Sequence, residues 1–463
     1  MKLSDIYQAV SATGVFDDHE DLSIYRVCTD SRLVQPGDLF VCLSGQNFDG
    51  HDFVAQALQC GAAALLVERS VSNFFGKVPV LQVDSSRKAL ADLASAFRKR
   101  FSGQVIGVTG TAGKTTVKEM MAAFLEHVFM AHVGKSYKNW NNQLGLSLSI
   151  LSMTGQEDFW ILELGVSEIA EMDGLGRIAC PDAGVIVNVG PAHLQGLGSE
   201  RGVAKEKAVL FDYIALNGVA VMSLDYPVLR EFVPIRGDLK WQTFSYQQEQ
   251  AGYFGLEHNR SSSLDSSYSY TLWSKEHKTS FSLPWPGMLE NLLAVAATLR
   301  GLGIEFTKDH YGLDSLTIPD HRFHIQEIGA FVLIDDCYNA NPISMQAALS
   351  RLARMSDQGS FVVILGDMKE LGHLAPELHY QLGRSLAEFK DIRVLYQGEY
   401  FKEVAEGFGS NQVDQTFFEI MDIEHFIYIW RTLGLESGII LFKGSRGCAL
   451  EEYVQALIKE LNQ

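Results

Sequence analysis

The chain has few cysteines, and none of them form a close pair. Six occur in 463 residues, at positions 28, 42, 60, 180, 337 and 448, without a C-x-x-C spacing. Disulfide-rich secreted domains and structural zinc sites are therefore disfavoured, and reduced thiols in the cytoplasm are expected. No stretch of about 18 uncharged apolar residues occurs either. The first segment, MKLSDIYQAV, lacks a basic start followed by an apolar run, so neither export nor a membrane span is expected.

Positive charge is also scarce. Lys and Arg number 38 against 56 Asp and Glu, which gives a formal net charge of −18. An acidic chain repels phosphate backbones unless a basic patch intervenes. The run RKR at 98–100 is interpreted as the solvated end of a helix, so no nucleic-acid partner is expected. The 47% hydrophobic content is ordinary for a globular protein, and the length suits about three domains.

A strict phosphate-binding consensus is missing, but a close variant is present. The segment VIGVTGTAGKTTVKEM at 105–120 contains an apolar strand, a glycine-rich loop and the start of a helix. Val108 stands where the pattern Gly-x-x-x-x-Gly-Lys-Ser/Thr has its first glycine. Gly110, Gly113 and the small Ala112 still allow backbone N–H groups to surround phosphate oxygens at a helix N-terminus. The alternative is a glycine turn that caps a helix, which is less favoured because Gly-Lys-Thr-Thr rarely follows an apolar strand by chance.

This loop predicts a site for a nucleoside triphosphate and its magnesium ion. Lys114 would neutralise the β and γ phosphates, and the hydroxyl of Thr115 would bind the metal. Glu163 ends the apolar strand FWILEL and is a candidate acidic ligand, with a solvent-facing acid as the alternative. His193, in the glycine-rich VGPAHLQGLG, is on its own more often a structural loop residue. Lys207, in RGVAKEKAVLF, would by itself be interpreted as a solvated helix lysine.

Apolar strand patterns divide the chain into three α/β units. Residues 1–84, with DLFVCL, AALLVE and VPVLQV, predict a small N-terminal α/β domain. Residues 85–316 carry the loop and further strands at crossover spacing, which predicts a central P-loop ATPase-like domain with a mainly parallel sheet. Polar alternation from about 240 to 285 predicts antiparallel strands at its edge. Residues 317–463, with AFVLIDD, SFVVILG, IRVLYQG and GIILFKG, predict a C-terminal Rossmann-like domain.

Taken together, these segments resemble the Mur ligases, which build the peptide of the bacterial cell-wall precursor. The resemblance rests on G-T-x-G-K-T-T, N-N-x-x-G, E-L-G and A-H-L-x-G-x-G followed by A-x-x-K, and it covers essentially the whole chain. CTDSRLVQPGDLFVCLSGQNFDGHDF, LIDDCYNANPISM, LGDMKELG and LFKGSRG further resemble the subfamily that joins D-alanyl-D-alanine to a UDP-N-acetylmuramoyl tripeptide. A tripeptide-forming Mur ligase or a folylpolyglutamate synthase would share the loop but not YNANP and GDMKELG. A phosphate-loop switch would need neither a nucleotide-sugar domain nor an amine-binding domain.

The resemblance implies ATP-dependent amide-bond formation in peptidoglycan precursor synthesis. ATP would phosphorylate a substrate carboxylate, and the dipeptide amine would attack the resulting acyl phosphate. Mg²⁺ would be bound by Thr115, Glu163, His193 and Lys207. Lys207 would be carbamylated, which turns a cation into an anionic metal ligand, and Lys205 is the competing assignment. The catalytic residues implied are Lys114, Glu163, His193 and Lys207.

The same resemblance implies ligand contacts in all three domains. Asn291 would reach adenine, Arg322 the phosphates, and Asp336 with Tyr338 the ribose. The remaining ATP contacts implied are Thr109, Gly110, Thr111, Ala112, Gly113, Lys114, Thr115 and Thr116. The substrate contacts implied are Asp30, Ser31 and Arg32 for the uridine diphosphate, Asn142 near the reacting carboxylate, and Lys443, Ser445 and Arg446 for the peptide carboxylate or the dipeptide. Ordinary turns with surface charge are the alternative for the first and last of these groups.

The chain departs from the family pattern in the adenine segment. The expected Gly-x-His-Asn-x-x-Asn is reduced to GMLEN, and PDHRF stands where the subfamily has Pro-Gly-Arg. Of the adenine pattern, only Asn291 is therefore carried over. A cytoplasmic monomer is expected. The sequence leaves open whether residue three of the tripeptide is lysine or diaminopimelate, and how strictly D-alanyl-D-alanine is preferred.

Overall fold

The computed structural model describes most of the chain, and its strands form three separate sheets. The described ranges are 1–13, 21–45, 48–71, 78–258, 268–274, 278–283, 287–304, 306, 321–355, 360–409 and 416–462. The helices are α1 (Leu3–Val10), α2 (Val54–Gln59), α3 (Ser86–Arg100), α4 (Lys114–Val128), α5 (Gln143–Leu151), α6 (Glu171–Ala179), α7 (Leu194–Leu197), α8 (Glu200–Ala208), α9 (Pro227–Arg230), α10 (Leu289–Gly301), α11 (Pro342–Ala353), α12 (Ala375–Leu386), α13 (Phe401–Phe408), α14 (Ile423–Leu433) and α15 (Leu450–Leu461). Within these ranges, every helix is too short or too polar to cross a bilayer.

The first sheet consists of four short parallel strands in chain order. They are β1 (Arg26–Cys28), β2 (Asp38–Val41), β3 (Ala64–Val67) and β4 (Val80–Gln82). Alternate residues of β2 and β3 face opposite sides, as a strand requires. Leu39 and Leu66 join one core cluster with residues of α1 and α3, whereas Phe40 and Leu65 pack in another with α2. Helices on both faces therefore bury this sheet, which explains its uniformly apolar strands.

The second sheet has nine strands, and most of its pairs are parallel. They are β5 (Gln104–Thr109), β6 (Val133–Lys135), β7 (Phe159–Glu163), β8 (Ala183–Ile186), β9 (Val219–Ser223), β10 (Lys240–Ser245), β11 (Tyr253–His258), β12 (Tyr268–Ser274) and β13 (Lys278–Leu283). The antiparallel edge predicted for 240–285 is found in β11, β12 and β13. It is wrong for β10, which pairs in parallel with both β9 and β11.

Strand β5 lies between β7 and β8 in this sheet. The carboxyl ends of these three parallel strands therefore meet at one edge, where the loop after β5 enters α4. Ligands of open α/β sheets bind at such an edge, because loops from neighbouring strands converge there. Strand order thus brings the glycine-rich loop beside the end of FWILEL and the segment after GVIVNV.

The third sheet has six strands in the order β14, β15, β19, β16, β17, β18. They are β14 (His324–Ile328), β15 (Phe331–Asp335), β16 (Phe361–Gly366), β17 (Ile392–Gln397), β18 (Phe417–Glu419) and β19 (Gly438–Lys443). Among the described strand pairs of this sheet, only β14–β15 is antiparallel. The predicted boundary between residues 316 and 317 lies outside the described residues, and the other domain limits stay predictions.

The second and third units contact each other directly beside the glycine-rich loop. Gln195 donates its backbone N–H to the carbonyl of Glu370 at 3.1 Å. Arg351 of α11 donates to the carbonyl of Gly287 at 3.1 Å. A side chain at Gly190 would meet Ile343 at 2.2 Å, so the absence of a Cβ there permits the close approach. These contacts place loops of both units around a shared space.

Candidate active site

The loop between β5 and α4 is held in shape by two neighbours. Gly113 adopts a left-handed conformation with φ of 80°, and a Cβ there would lie 2.3 Å from Oδ1 of Asn291. Glycine is therefore required on two counts. The backbone N–H groups of Thr111 and Ala112 donate to Asn188, at 3.1 Å to its carbonyl and 2.8 Å to its Oδ1. The N–H group of Ala112 thus has a side-chain partner in this structure, and the contact of Ala112 with ATP stays a prediction.

Lys114 lies folded back over the loop. Its Nζ donates to the carbonyl of Gly110 at 2.7 Å and contacts that of Thr111 at 3.5 Å. Burial lowers the pKa of Lys114, with a further decrease from Arg322 and an opposing increase from Glu163. A phosphate anion in the adjoining space would offer this amine a stronger partner than a neutral carbonyl does.

Glu163 lies buried at the end of β7, where its two carboxylate oxygens have different partners. Oε2 accepts the hydroxyl of Thr115 at 2.7 Å, and Oε1 accepts the side-chain amide of Asn141 at 2.9 Å. The sequence had singled out Asn142 instead. Asn142 caps α5, because its Oδ1 accepts the N–H of Gly145 at 2.8 Å. Asn141 is thus the amide that orients the carboxylate, and the doubled asparagine was the signal for it.

Lys207 and Lys205 lie on opposite sides of α8. Lys207 is 2% exposed and donates to the carbonyl of Gly110 at 3.2 Å, whereas Lys205 is exposed. Burial and the nearby Lys114 lower the pKa of Lys207 well below its ordinary value, against a smaller opposing effect of Glu206. Residues two positions apart on a helix do not share a face. Of the two lysines in AKEK, Lys207 is therefore buried against the loop, whereas Lys205 is exposed.

His193 lies at the contact between the second and third units. Its Nδ1 is 2.5 Å from Oε2 of Glu370. Burial lowers the pKa of His193, and Lys114 and Lys207 lower it further, against the opposing effect of Glu370. The residue also has a positive φ of 54°. Local sequence does not indicate this partner, although its carboxylate lies in the motif GDMKELG.

A cavity of about 420 Å³, here named the main cavity because it contains the glycine-rich loop, lies at the strand ends between the second and third units. The predicted residues that line it are residues 111–114, Thr116, Asn142, Glu163, His193, Asn291, Arg322, Asp336, Tyr338 and Lys443. Thr109, Gly110, Thr115 and Lys207 lie behind this surface, among the residues that support the loop. The cavity therefore brings together most of the predicted ATP contacts, although Thr111 and Asp336 are more than 200 residues apart in the sequence.

Two predicted residues of the third unit pair with each other. Lys443 donates to Oδ2 of Asp336 at 2.6 Å and to the carbonyl of Asn339 at 3.2 Å. The guanidinium of Arg322 lies over the ring of Tyr338, 4.0 Å from its centre. The resemblance assigns Lys443 to a peptide carboxylate and Asp336 to the ribose. In the structure, the carboxylate of Asp336 is itself the partner of Lys443.

Glu290 is a cavity residue that sequence reasoning missed. Its Oε2 accepts the amide of Asn188 at 2.8 Å, and its Oε1 accepts the hydroxyl of Tyr226 at 2.6 Å. Burial raises the pKa of this carboxyl to about 7. The sequence signal for Glu290 was the shortened segment GMLEN, in which it directly precedes Asn291. Because Asn188 also accepts from Ala112, Glu290 is linked to the phosphate loop through one side chain.

A second cavity of about 230 Å³ adjoins the main one and shares His193, Tyr338, Asn339 and Asn341 with it. Lys369, Glu370, Ser445 and Arg446 contribute its charged and polar lining. Ser445 accepts the backbone N–H of Lys369 at 2.9 Å and donates to the carbonyl of Ala340 at 3.2 Å. Two loops that are far apart in sequence, GDMKELG and KGSRG, are thereby joined at this cavity.

The predicted uridine-diphosphate residues lie in the first unit, outside both cavities. Asp30 pairs with Arg32 at 2.6 Å, and this contact is the main reason that the pKa of Asp30 falls to about 2. Ser31 is buried and donates to the side chain of Gln56 at 2.8 Å. Their role in binding stays a prediction.

Known proteins match this chain along its length. Three family models match consecutive parts: Mur ligase family, catalytic domain, over 23–98; Mur ligase middle domain over 108–299; and Mur ligase, glutamate ligase domain, over 321–446. A Bacillus subtilis protein named UDP-N-acetylmuramoyl-tripeptide--D-alanyl-D-alanine ligase is 33% identical, over 99% of this chain and 98% of its own. These matches agree in order with the three units of the fold.

Solved structures match the fold equally well. A crystal structure of MurF from Acinetobacter baumannii has a TM-score of 0.86 and 27% identity, covering 99% of this chain and 98% of that one. The structure of MurF ligase from Thermotoga maritima in complex with ADP has a TM-score of 0.83 and 31% identity, covering 96% and 99%. The three-domain α/β architecture predicted from sequence is thus confirmed. With family models over all three units and full-length relatives above 30% identity, the chain belongs to the Mur ligase family.

Proposed function

We propose that this protein is an ATP-dependent ligase that adds D-alanyl-D-alanine to a UDP-N-acetylmuramoyl tripeptide. The observation that carries the proposal is the pair of adjoining cavities between the second and third units. One contains the phosphate loop with Glu163, and the other contains the cations and carboxylate of two distant loops. A ligase that activates one carboxylate and attacks it with an amine needs two neighbouring sites of this kind. The named function of the Bacillus subtilis relative supports the same reaction.

The described side chains suit a nucleotide with bound Mg²⁺. Mg²⁺ usually keeps several waters and binds through one or two carboxylates together with substrate phosphates. Glu163 and the Thr115 hydroxyl, 2.7 Å apart, offer hard oxygen donors beside the loop. Within the described ranges no group of three or more His, Cys, Asp or Glu side chains is placed to hold a metal ion. When bound, the ion would draw charge from the phosphoryl group during transfer.

The chain's own residues then have distinct tasks. Lys114, released from the Gly110 carbonyl, would bind the transferring phosphoryl oxygens. Asn141 would keep the Glu163 carboxylate turned toward Thr115. His193 would stand where the two cavities meet, beside the path of the incoming amine. The acyl phosphate would form in the main cavity, and the dipeptide amine would displace phosphate from it through a tetrahedral intermediate.

Carbamylation of Lys207 is part of this proposal. The reaction adds carbon dioxide to the neutral amine and releases one proton, giving an anionic carbamate. A buried lysine 3.2 Å from the loop carbonyl of Gly110 supports Lys207 over the exposed Lys205. A carbamate there would offset the positive charge of Lys114 and provide oxygens for a second metal ion.

The decisive experiment is product formation with a panel of substrates. Phosphate release should require a UDP-muramoyl peptide and the dipeptide together, and mass spectrometry should find their amide. Tripeptides that end in lysine and in diaminopimelate would resolve the residue that the sequence leaves open. Release of phosphate without either acceptor would instead favour a nucleotide switch. The proposal includes a cytoplasmic monomer, which light scattering would test for oligomeric state and cell fractionation for location.

A further inference from the structure

The glycine-rich loop rests on Asn188, which lies just after β8 and is 2% exposed. The side-chain oxygen of Asn188 accepts the N–H of Ala112 at 2.8 Å, and its carbonyl accepts that of Thr111 at 3.1 Å. Because a backbone N–H can only donate, the amide of Asn188 must turn its oxygen toward Ala112 and its NH2 group away from the loop. The orientation of this one amide therefore decides whether Ala112 has an acceptor.

Glu290, in the first turn of α10, fixes that orientation. Its Oε2 accepts the NH2 group of Asn188 at 2.8 Å, and its Oε1 accepts the hydroxyl of Tyr226 at 2.6 Å. An acceptor is required at the position of Oε2, because the NH2 group that faces it can only donate. Both protonation states of the carboxyl meet this requirement, since the proton of the neutral form can lie on Oε1 and donate to Tyr226.

The next residue of α10 contacts the loop directly. The side-chain oxygen of Asn291 packs against Gly113, where it would collide with any Cβ. The start of α10 thus supports two successive loop residues, Ala112 through Asn188 and Gly113 through Asn291. A loop that surrounds phosphate oxygens binds more weakly when its backbone is free to move, because ordering it on binding costs conformational entropy.

From these contacts we infer that Glu290 is a positioning residue for nucleotide binding, which acts through the amide of Asn188 to keep the glycine-rich loop in the shape that receives phosphates. The inference rests on the proposed function and deepens it, since ATP is the nucleotide of that proposal. Glu290 also lines the main cavity, so direct contact with the nucleotide is the competing explanation. The two explanations differ in how substitutions at Glu290 and Asn188 combine.

The test measures binding of ADP with Mg²⁺ by calorimetry on the full chain. E290M keeps the length of the side chain but removes the acceptor for the buried NH2 group of Asn188, so ADP should bind about tenfold more weakly. E290Q restores an oxygen for Asn188 and offers an NH2 group to Tyr226, so its affinity should stay within about twofold of the unmodified protein. In ligation assays, E290M should raise the KM for ATP and leave the KM for the UDP-muramoyl tripeptide unchanged.

A double variant tests whether Glu290 acts through Asn188. N188A should by itself weaken ADP binding about tenfold, and adding E290M should weaken it no further, because the connection is already broken. Y226F is the matched control, since it removes the other partner of Glu290. It should lower the midpoint of thermal unfolding, while ADP binding stays within about twofold.

Losses that add in the double variant would assign Glu290 to direct contact and overturn the inference. Equal losses in E290M and E290Q, a loss in Y226F as large as that in E290M, or a normal ADP affinity of E290M would also overturn it. So would a normal affinity of N188A, which tests the same connection if E290M does not fold. If the unmodified protein binds ADP and forms amide product while these patterns fail, only the positioning role is wrong, whereas absence of product would overturn the proposed function itself.

Discussion

The two adjoining cavities differ in how their charges are satisfied. In the main cavity, charged groups bond to the protein: Lys114 to the loop carbonyls, Glu163 to Thr115 and Asn141, and Lys443 to Asp336. In the second, Lys369 and Arg446 have no ion-pair partner among the described residues. A ligand that binds in the main cavity must replace some of these internal bonds. Lys369 and Arg446 can bind a ligand without breaking an ion pair. The first cavity is therefore expected to be sensitive to geometry, and the second to ligand charge.

Removing the amine of Lys114 should give the largest difference between loss of ligation and loss of UDP-substrate binding. K114A deletes the amine that would bind the transferring phosphoryl group, so ligation should fall by about 1,000-fold or more. Binding of the UDP substrate should change little, because Asp30, Ser31 and Arg32 lie in the first unit, outside both cavities. Turnover and calorimetric binding would be compared for the same sample. A variant that lost both together would point to misfolding, which circular dichroism would reveal.

The next effect should separate Lys207 from Lys205. K207A removes the buried amine against the loop and should lower turnover by about 100-fold or more, whereas K205A changes an exposed side chain and should stay within about twofold. Acetate or propionate should restore part of the K207A activity by filling the position of the carbamate. Turnover with and without added carboxylate measures this. Equal activity of the two variants, or an unmodified amine at Lys207 in a metal-bound crystal structure, would refute the carbamate.

A smaller effect should appear at Glu290 and depend on pH. Burial raises its folded-state pKa to about 7, so its ionised form is disfavoured in the native protein. Its contribution to stability is present below its ordinary pKa and is lost as pH rises through about 7. E290Q cannot ionise, so its free energy of unfolding relative to the unmodified protein should rise between pH 5 and 8, by about 2 to 3 kcal/mol. Denaturant unfolding at several pH values would measure it, and a flat difference would contradict the assignment.

The smallest effect should distinguish the paired asparagines. N142A removes the cap of α5 and should cost about 1 kcal/mol of stability with little change in the turnover number. N141A leaves the cap intact but frees the Glu163 carboxylate, so turnover should fall about tenfold at nearly unchanged stability. Thermal unfolding and steady-state kinetics on both variants test this. If N142A proved the slower enzyme, the original interpretation of Asn142 as the substrate contact would regain support.

Local sequence was sufficient to predict those elements whose residues are contiguous in the chain. The apolar strand before Gly110 and the Gly-Lys-Thr-Thr after it determined the loop, because strand, turn and helix start lie within 16 consecutive residues, 105–120. The three-unit organisation followed in the same way from runs of buried strands. The parallel pairing of β10 did not, since alternation of polar and apolar residues in a sequence does not determine the direction in which a strand pairs.

Tertiary structure alone decided which side chains meet. Asp336 and Lys443 are 107 residues apart, and His193 and Glu370 are 177 apart, so no local spacing indicates either pair. Lys207 and Lys205 lie two positions apart in AKEK, and only the packing of one face of α8 against the loop shows which of them is buried. Glu290 acquires its raised pKa from burial, against the opposing effect of the hydrogen bonds from Tyr226 and Asn188. Composition and periodicity specify which elements form, whereas burial and partner geometry exist only once the three sheets and their loops are packed together.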